Sequence, residues 1–323
     1  MNFIQQAYKG RNEWFIYLMT LFVVGFGWQF LGVIPLLITA FGHAEDINEF
    51  RAAAQSNFTG LGINSNLYLF LIILMFAFGL LFLMLGVKFL HKRPFKTVIT
   101  SRNRIDWKRF WFSFISWGLI SFFVVTIGIM IEPEHYTWNF KPLSFLVLVL
   151  ISFLFLPIQT SFEELLFRGY LMQGLGILVK NRWFPLIMTS VIFGLLHGAN
   201  PEVAKLGPIT MVFYIGTGLL FGVVTLLDEG MELALGLHAI NNIVAAFYVT
   251  TDWTVFQTDA LFIDSSEPSV GLEMFLPVLV LYPILLFFFS KKYEWKNWKE
   301  KLFGKIDLPR QEAMSQMVNN SNS

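Results

Sequence analysis

Two adjacent carboxylates, Glu163 and Glu164, stand at the head of the run Glu-Glu-Leu-Leu-Phe-Arg, which ends on Arg168. Downstream lie Phe193-Gly194-Leu195-Leu196-His197 and His238-Ala239-Ile240-Asn241-Asn242. A carboxylate and an imidazole can take a proton from water, and imidazole and amide N–H groups can hold a developing oxyanion. That is the equipment of hydrolysis. Each group sits in an apolar stretch, where an ionisable side chain is costly and marks function by default. Cysteine is absent, which removes thiolate nucleophiles and disulfides.

Helical periodicity divides the roles. Residues four apart share a face, and Glu placed before a cation is the favourable order, so Glu164 and Arg168 are expected to pair. Glu163 points about 100° away and is not spent on that pair. A carboxylate with no dedicated cation in a low-dielectric site keeps its proton more readily, the condition for a general base near neutral pH. Glu163 is therefore read as catalytic, with Glu164 and Arg168 as structural support. Phe193 and His197 share a face, and Gly194 and Gly198 let another helix approach; Phe193 reads as core. His238 and Asn242 also lie four apart, two convergent donors of the kind an oxyanion hole needs. Taken singly, each group has a plainer reading: a packing histidine, a satisfied Glu–Arg pair, an Asn241 that faces a neighbouring helix. The conjunction of two carboxylates, two histidines and an amide on three helices favours catalysis. A proton-coupled membrane transporter is the alternative, since buried Glu and His also form proton relays. Transporter repeats would place such groups in both halves, whereas here they fall within 163–242.

The elements that position these residues are membrane spans. Hydrophobic residues make up 55% of the 323 positions, above the roughly 45–50% of soluble domains, and they fall in long runs. Eight spans are predicted, an all-α bundle: Phe15–Phe41, Leu67–Leu90, Phe110–Ile131, Pro142–Pro157, Trp183–His197, Leu206–Leu227, Glu232–Val249 and Val270–Phe289. Lipid leaves no partner for an unpaired backbone group, so each is a helix. A single transmembrane domain over 1–306 is expected, its motif-bearing core at about 142–250, followed by a disordered cytoplasmic tail over 307–323. The segments 88–109 and 291–305 are rich in Lys and Arg, while 41–66 and 250–269 are acidic. That bias places both termini in the cytoplasm, at the plasma (inner) membrane; the acidic turn 228–232 dissents weakly. The net charge of +1 gives no sign of a nucleic-acid partner; the expected partners are the lipid bilayer and a membrane-associated protein or peptide. Joined to 159–180, the fourth span would run about 57 Å as one helix, against a core of about 30 Å. It must break near Pro157 or run on into the cytoplasm.

Glu163-Glu164-x-x-x-Arg168, Phe193-x-x-x-His197 and His238-x-x-x-Asn242 resemble, in order and spacing, the three motifs of the CPBP intramembrane proteases, also called the CAAX-processing, bacteriocin-processing or Abi family. The resemblance implies an eight-helix bundle with a site sunk in the membrane, and peptide-bond hydrolysis near a substrate's C-terminus or at the edge of a membrane segment. It implies that Glu163 with His197 activates water, that His238 and Asn242 stabilise the oxyanion, and that Arg168 anchors Glu164. A non-catalytic immunity or scaffold protein on the same fold is a third reading. The family is often labelled metalloprotease, and Glu163, His197 and His238 could bind Zn²⁺ with a position open for water. The reading preferred here is metal-free, because His238 and Asn242 serve better as donors than as ligands. One conflict stands: His238 lies ~9 Å and His197 ~21 Å from the ends of their spans. They meet only if the helices are tilted, staggered or bounded differently, and the boundaries are the expected source.

Overall fold

The structure, a computed structural model, describes residues 1–309. The expected tail from 310 onward lies outside the described residues. Among the described residues, six helices are long and apolar enough to cross a membrane: α1 (Trp14–His43), α2 (Ser65–Leu90), α3 (Trp107–Ile131), α4 (Pro142–Val179), α6 (Pro208–Asp228) and α8 (Met274–Lys292). Two more apolar helices, α5 (Trp183–Leu196) and α7 (Glu232–Phe247), have 14 and 16 residues. At 1.5 Å per residue these span only about 21 and 24 Å. Lipid-facing surfaces stay apolar and exposed, as with Phe22 and Leu143, both 77% exposed.

The connecting segments gather at two ends. At one, the N-terminal turn Ile4–Lys9, the loop 91–106, the α4–α5 and α6–α7 turns and the segment after α8 meet. Arg102 pairs with Asp228 and Glu232 at 2.8 and 2.9 Å, and Arg182 with Glu229 at 3.3 Å. Arg109 also binds Asp228, which accepts from Trp295 Nε1 at 2.9 Å. The acidic turn that dissented from the charge bias is therefore the counter-charge of three arginines. At the other end, β1 (Tyr136–Trp138), β2 (Val249–Thr250) and β3 (Phe262–Asp264) form a small sheet in the order β1-β3-β2. β1 runs antiparallel to β3, with Thr137 opposite Ile263, and β2 runs parallel to it. Loops 44–64 and 197–210 join this end through Ser65 to Asp259 (3.0 Å) and the Val255 amide to Glu202 (3.1 Å).

α4 does not break at Pro157, which sits inside an α-helical stretch, Pro142–Glu164. A proline removes one hydrogen bond, whereas a free end within lipid would leave several groups unpaired. The helix instead runs on through a π-helical stretch, Leu165–Leu171, to Val179. Its last turns project past the start of α7: Gly169 already lies level with Met231 and Val98. Protein sheathes that projection. Gln173 donates to the Phe3 and Thr97 carbonyls at 3.1 and 2.8 Å, and Gly176 faces Ile4 and Ile306.

Candidate active site

The site is built on α4 where its hydrogen bonding shifts to the wider π register, a feature common at functional positions. Arg168 Nη1 and Glu164 Oε1 pair at 2.8 Å, both side chains fully buried, as the i,i+4 spacing predicts. Arg168 Nη2 donates to the Gly218 carbonyl at 3.2 Å. The guanidinium lies over Phe193 at 4.2 Å and near Phe221 at 5.4 Å. Phe193 is thus more than core: it is the aromatic face on which the buried cation rests.

His238 on α7 stands between the two glutamates. Its Nδ1 lies 2.9 Å from Glu164 Oε1, and its Nε2 faces Glu163 Oε2 at 3.5 Å. The ring stacks on Phe221 at 4.9 Å. Glu164 therefore accepts from both Arg168 and His238, and it fixes the imidazole as well as the arginine. Glu163 has its Oε1 occupied by Gln159 Nε2 at 2.8 Å. Its Oε2 is buried without a hydrogen-bond partner.

That carboxylate opens on a cavity of about 550 Å³ that His197, His238, Asn241, Asn242, Gln159 and Phe193 also line. His197 donates from Nδ1 to the Phe193 carbonyl at 2.8 Å, which leaves Nε2 as an acceptor. Its ring stacks on Tyr214 at 4.4 Å, and the Tyr214 hydroxyl donates to Glu202. Asn242 shares the cavity with His238, yet its amide donates to Gln159 Oε1 at 3.3 Å. Asn241 does face a neighbouring helix, accepting from Trp117 Nε1 at 3.3 Å.

The depth conflict resolves by stagger, not by boundaries. α5 and α7 begin and end within a residue or two of expectation. The overshoot of α4 from Gly169 to Val179 is about 15 Å, and α5 follows it back from that projecting end. A histidine deep on α5 and one shallow on α7 consequently reach one level, both beside Phe193, at ring distances of 4.6 and 6.0 Å.

A zinc site needs three convergent ligands. Among the described residues no group of three His, Cys, Asp or Glu side chains could hold a metal ion. Glu163, His197 and His238 are not such a group. No step is derived through a metal.

Sequence reasoning missed Gln159, Tyr214 and Glu202. Gln159 carried a usable signal, lying four residues before Glu163 and so on its face. Tyr214 and Glu202 carried none, since only the fold brings them to His197.

Residues 142–244 match a protein-family model described as Type II CAAX prenyl endopeptidase Rce1-like. This segment is an Rce1-like domain. The match bears out the three-motif resemblance, and it runs from the first residue of α4 to two residues past Asn242. Trp117 on α3 and Tyr282 on α8, which complete the cavity wall, lie outside the Rce1-like domain. The chain is also similar to the protein named "Uncharacterized protein YyaK" of Bacillus subtilis (strain 168), 36% identical over 192 residues, covering 59% of this chain. The chain spans 64% of the length of that relative. No solved structure matches.

Proposed function

We propose that this protein is a membrane-embedded endopeptidase that hydrolyses a peptide bond of a membrane-associated protein or peptide precursor. The observation that carries the reading is Glu163: one oxygen is held by Gln159, the other is buried without a hydrogen-bond partner 3.5 Å from His238 Nε2, and the residue lines a cavity shared with two histidines and two asparagines.

The chemistry runs without a metal. Water bound at Glu163 Oε2, with His197 Nε2 as a second acceptor, gives its proton to the carboxylate as its oxygen attacks the scissile carbonyl. The oxyanion is held by Asn242 and by His238. Since His238 Nδ1–H is spent on Glu164, its Nε2 donates only in the imidazolium form, with Glu164 as the ionised neighbour once Glu163 has taken the proton. The proton on Glu163 then passes to the leaving amine, the C–N bond breaks, and the new carboxylic acid gives its remaining proton to His197 Nε2, so that a carboxylate and an amine leave. Arg168 holds Glu164 in place throughout.

In the membrane, residues 1–306 form one domain of eight crossings, with the arginine-rich end and both termini in the cytoplasm of a plasma membrane. α5 and α7 are short for a crossing of about 30 Å, which suits helices that meet a water-filled site part-way.

The test is cleavage of a peptide library by the purified protein in ¹⁸O-water. Wild type should yield products with ¹⁸O in the new carboxylate. Glu163→Ala should lose activity by about 10²–10⁴-fold, the range of a general base. Full activity in Glu163→Ala would overturn the assignment.

A further inference from the structure

Five side chains from three helices form a single file of hydrogen bonds that ends on Glu163. Trp117 Nε1 donates to Asn241 Oδ1 at 3.3 Å, and Asn241 Nδ2 to Asn242 Oδ1 at 3.3 Å. Asn242 Nδ2 donates to Gln159 Oε1 at 3.3 Å, and Gln159 Nε2 to Glu163 Oε1 at 2.8 Å. The ends dictate the direction. An indole N–H can only donate and an ionised carboxylate can only accept, so each of the three amides must turn its oxygen toward Trp117 and its nitrogen toward Glu163. Amides aligned in this way polarise one another. All five residues line the same cavity. Trp117 is set there by packing, 7% exposed, with its ring 5.9 Å from Tyr282.

We infer that this amide file is a positioning device for the Glu163 carboxylate, with Gln159 as the residue that aims it and Trp117 as its anchor on the substrate-facing wall. The inference rests on the proposed role of Glu163 in activating water. Gln159 ties down one carboxylate oxygen and leaves the other, which faces His238 Nε2 at 3.5 Å, to take that water's proton. The same amide fixes Asn242, so the base and an oxyanion donor are set at mutually constrained angles. A peptide lying along α3 touches Trp117, and that contact acts on the carboxylate through three amides. α3 thereby gains a chemical part in a site whose motifs all lie on other helices.

The test is a double-mutant cycle on the purified protein with a cleavable peptide, using Gln159→Leu, Trp117→Phe and the pair. Gln159→Leu should lower kcat about 100-fold with KM within about 3-fold, as misplacement of a reacting group by about 1 Å does. Trp117→Phe should lower kcat about 5-fold, the worth of roughly one hydrogen bond. The pair should be no slower than Gln159→Leu alone, because the file is already cut between Trp117 and Glu163. A pair slower by the product of the single effects, or a Gln159→Leu defect confined to KM, would overturn the inference. The same cycle read as Tm does not depend on turnover. Non-additive losses support the file and additive losses overturn it, even if Glu163→Ala were to leave cleavage intact and the peptidase reading were to fall.

Discussion

Glu164 and Arg168 form a 2.8 Å salt bridge in which neither side chain reaches solvent. A buried pair of this kind adds little over a well-packed apolar pair, but breaking it strands a charge. Arg168→Met should therefore cost about 3–5 kcal/mol of stability. Glu164→Gln combined with Arg168→Met should recover part of that loss. Thermal unfolding in detergent measures both, and an Arg168→Met protein as stable as wild type would contradict the arrangement.

α3 and α7 pack at the closest range where Gly236 faces the Phe110 carbonyl and Ser113 Oγ; an added Cβ has no room there. Gly236→Ala should destabilise by about 1–3 kcal/mol through overpacking. Gly128→Ala, on α3 with open space around it, is the contrast. It should be neutral or gain roughly 0.5–1 kcal/mol, since glycine weakens a helix interior. Parallel unfolding curves of the two variants check the pair of outcomes.

His91 should make stability fall in acid. Its Nδ1 donates to the Arg11 carbonyl and its Nε2 accepts from the Tyr170 hydroxyl, both at 2.7 Å. Burial lowers its pKa from 6.5 to about 4, with the nearby Arg93 charge acting in the same direction. The folded-state pKa is depressed, so the unfolded chain binds the proton first. The contribution is fully present above about pH 6.5 and is lost as pH falls toward 4. Tm measured across that window should decline less for His91→Gln than for wild type.

Asp228 is the hub of the arginine-rich end, bonded to Arg102, Arg109 and Trp295. Asp228→Ala leaves two partly exposed arginines without this partner and should cost about 2 kcal/mol, less than a fully buried pair because water screens what remains. Below the lowered Tm the purified variant should turn over peptide at the wild-type rate, since the hub lies outside the cavity. A kcat loss matching that of Glu163→Ala would place it in the chemistry instead.

How much of this was readable in the sequence depends on whether a contact is local. The Glu164–Arg168 pair followed from helical spacing alone. The grip of His238 on Glu164 joins residues 74 positions apart, and no local rule carries that. Asn242 was read as a partner of His238 because both lie on one face, yet its amide bonds across to Gln159 on α4. Gln159 itself was within reach, four residues before Glu163, but an uncharged amide attracts less notice than a buried charge. Span positions came from hydropathy. So did the surplus length of α4, but the choice between a break at Pro157 and an unbroken projection did not, because composition cannot say which of the two a helix takes, and that projection is what brings His197 and His238 together.

The sheathing of α4 has a consequence for biogenesis. Gln5 Nε2 bonds the Asp307 carbonyl, 302 positions away, and the Ile306 amide bonds the Lys180 carbonyl at 3.0 Å. The sleeve around the helix that bears both glutamates thus closes only after residue 306 has left the ribosome. Nascent chains shorter than that lack this closure, so the sleeve is completed late, when the C-terminal segment reaches the N-terminal turn.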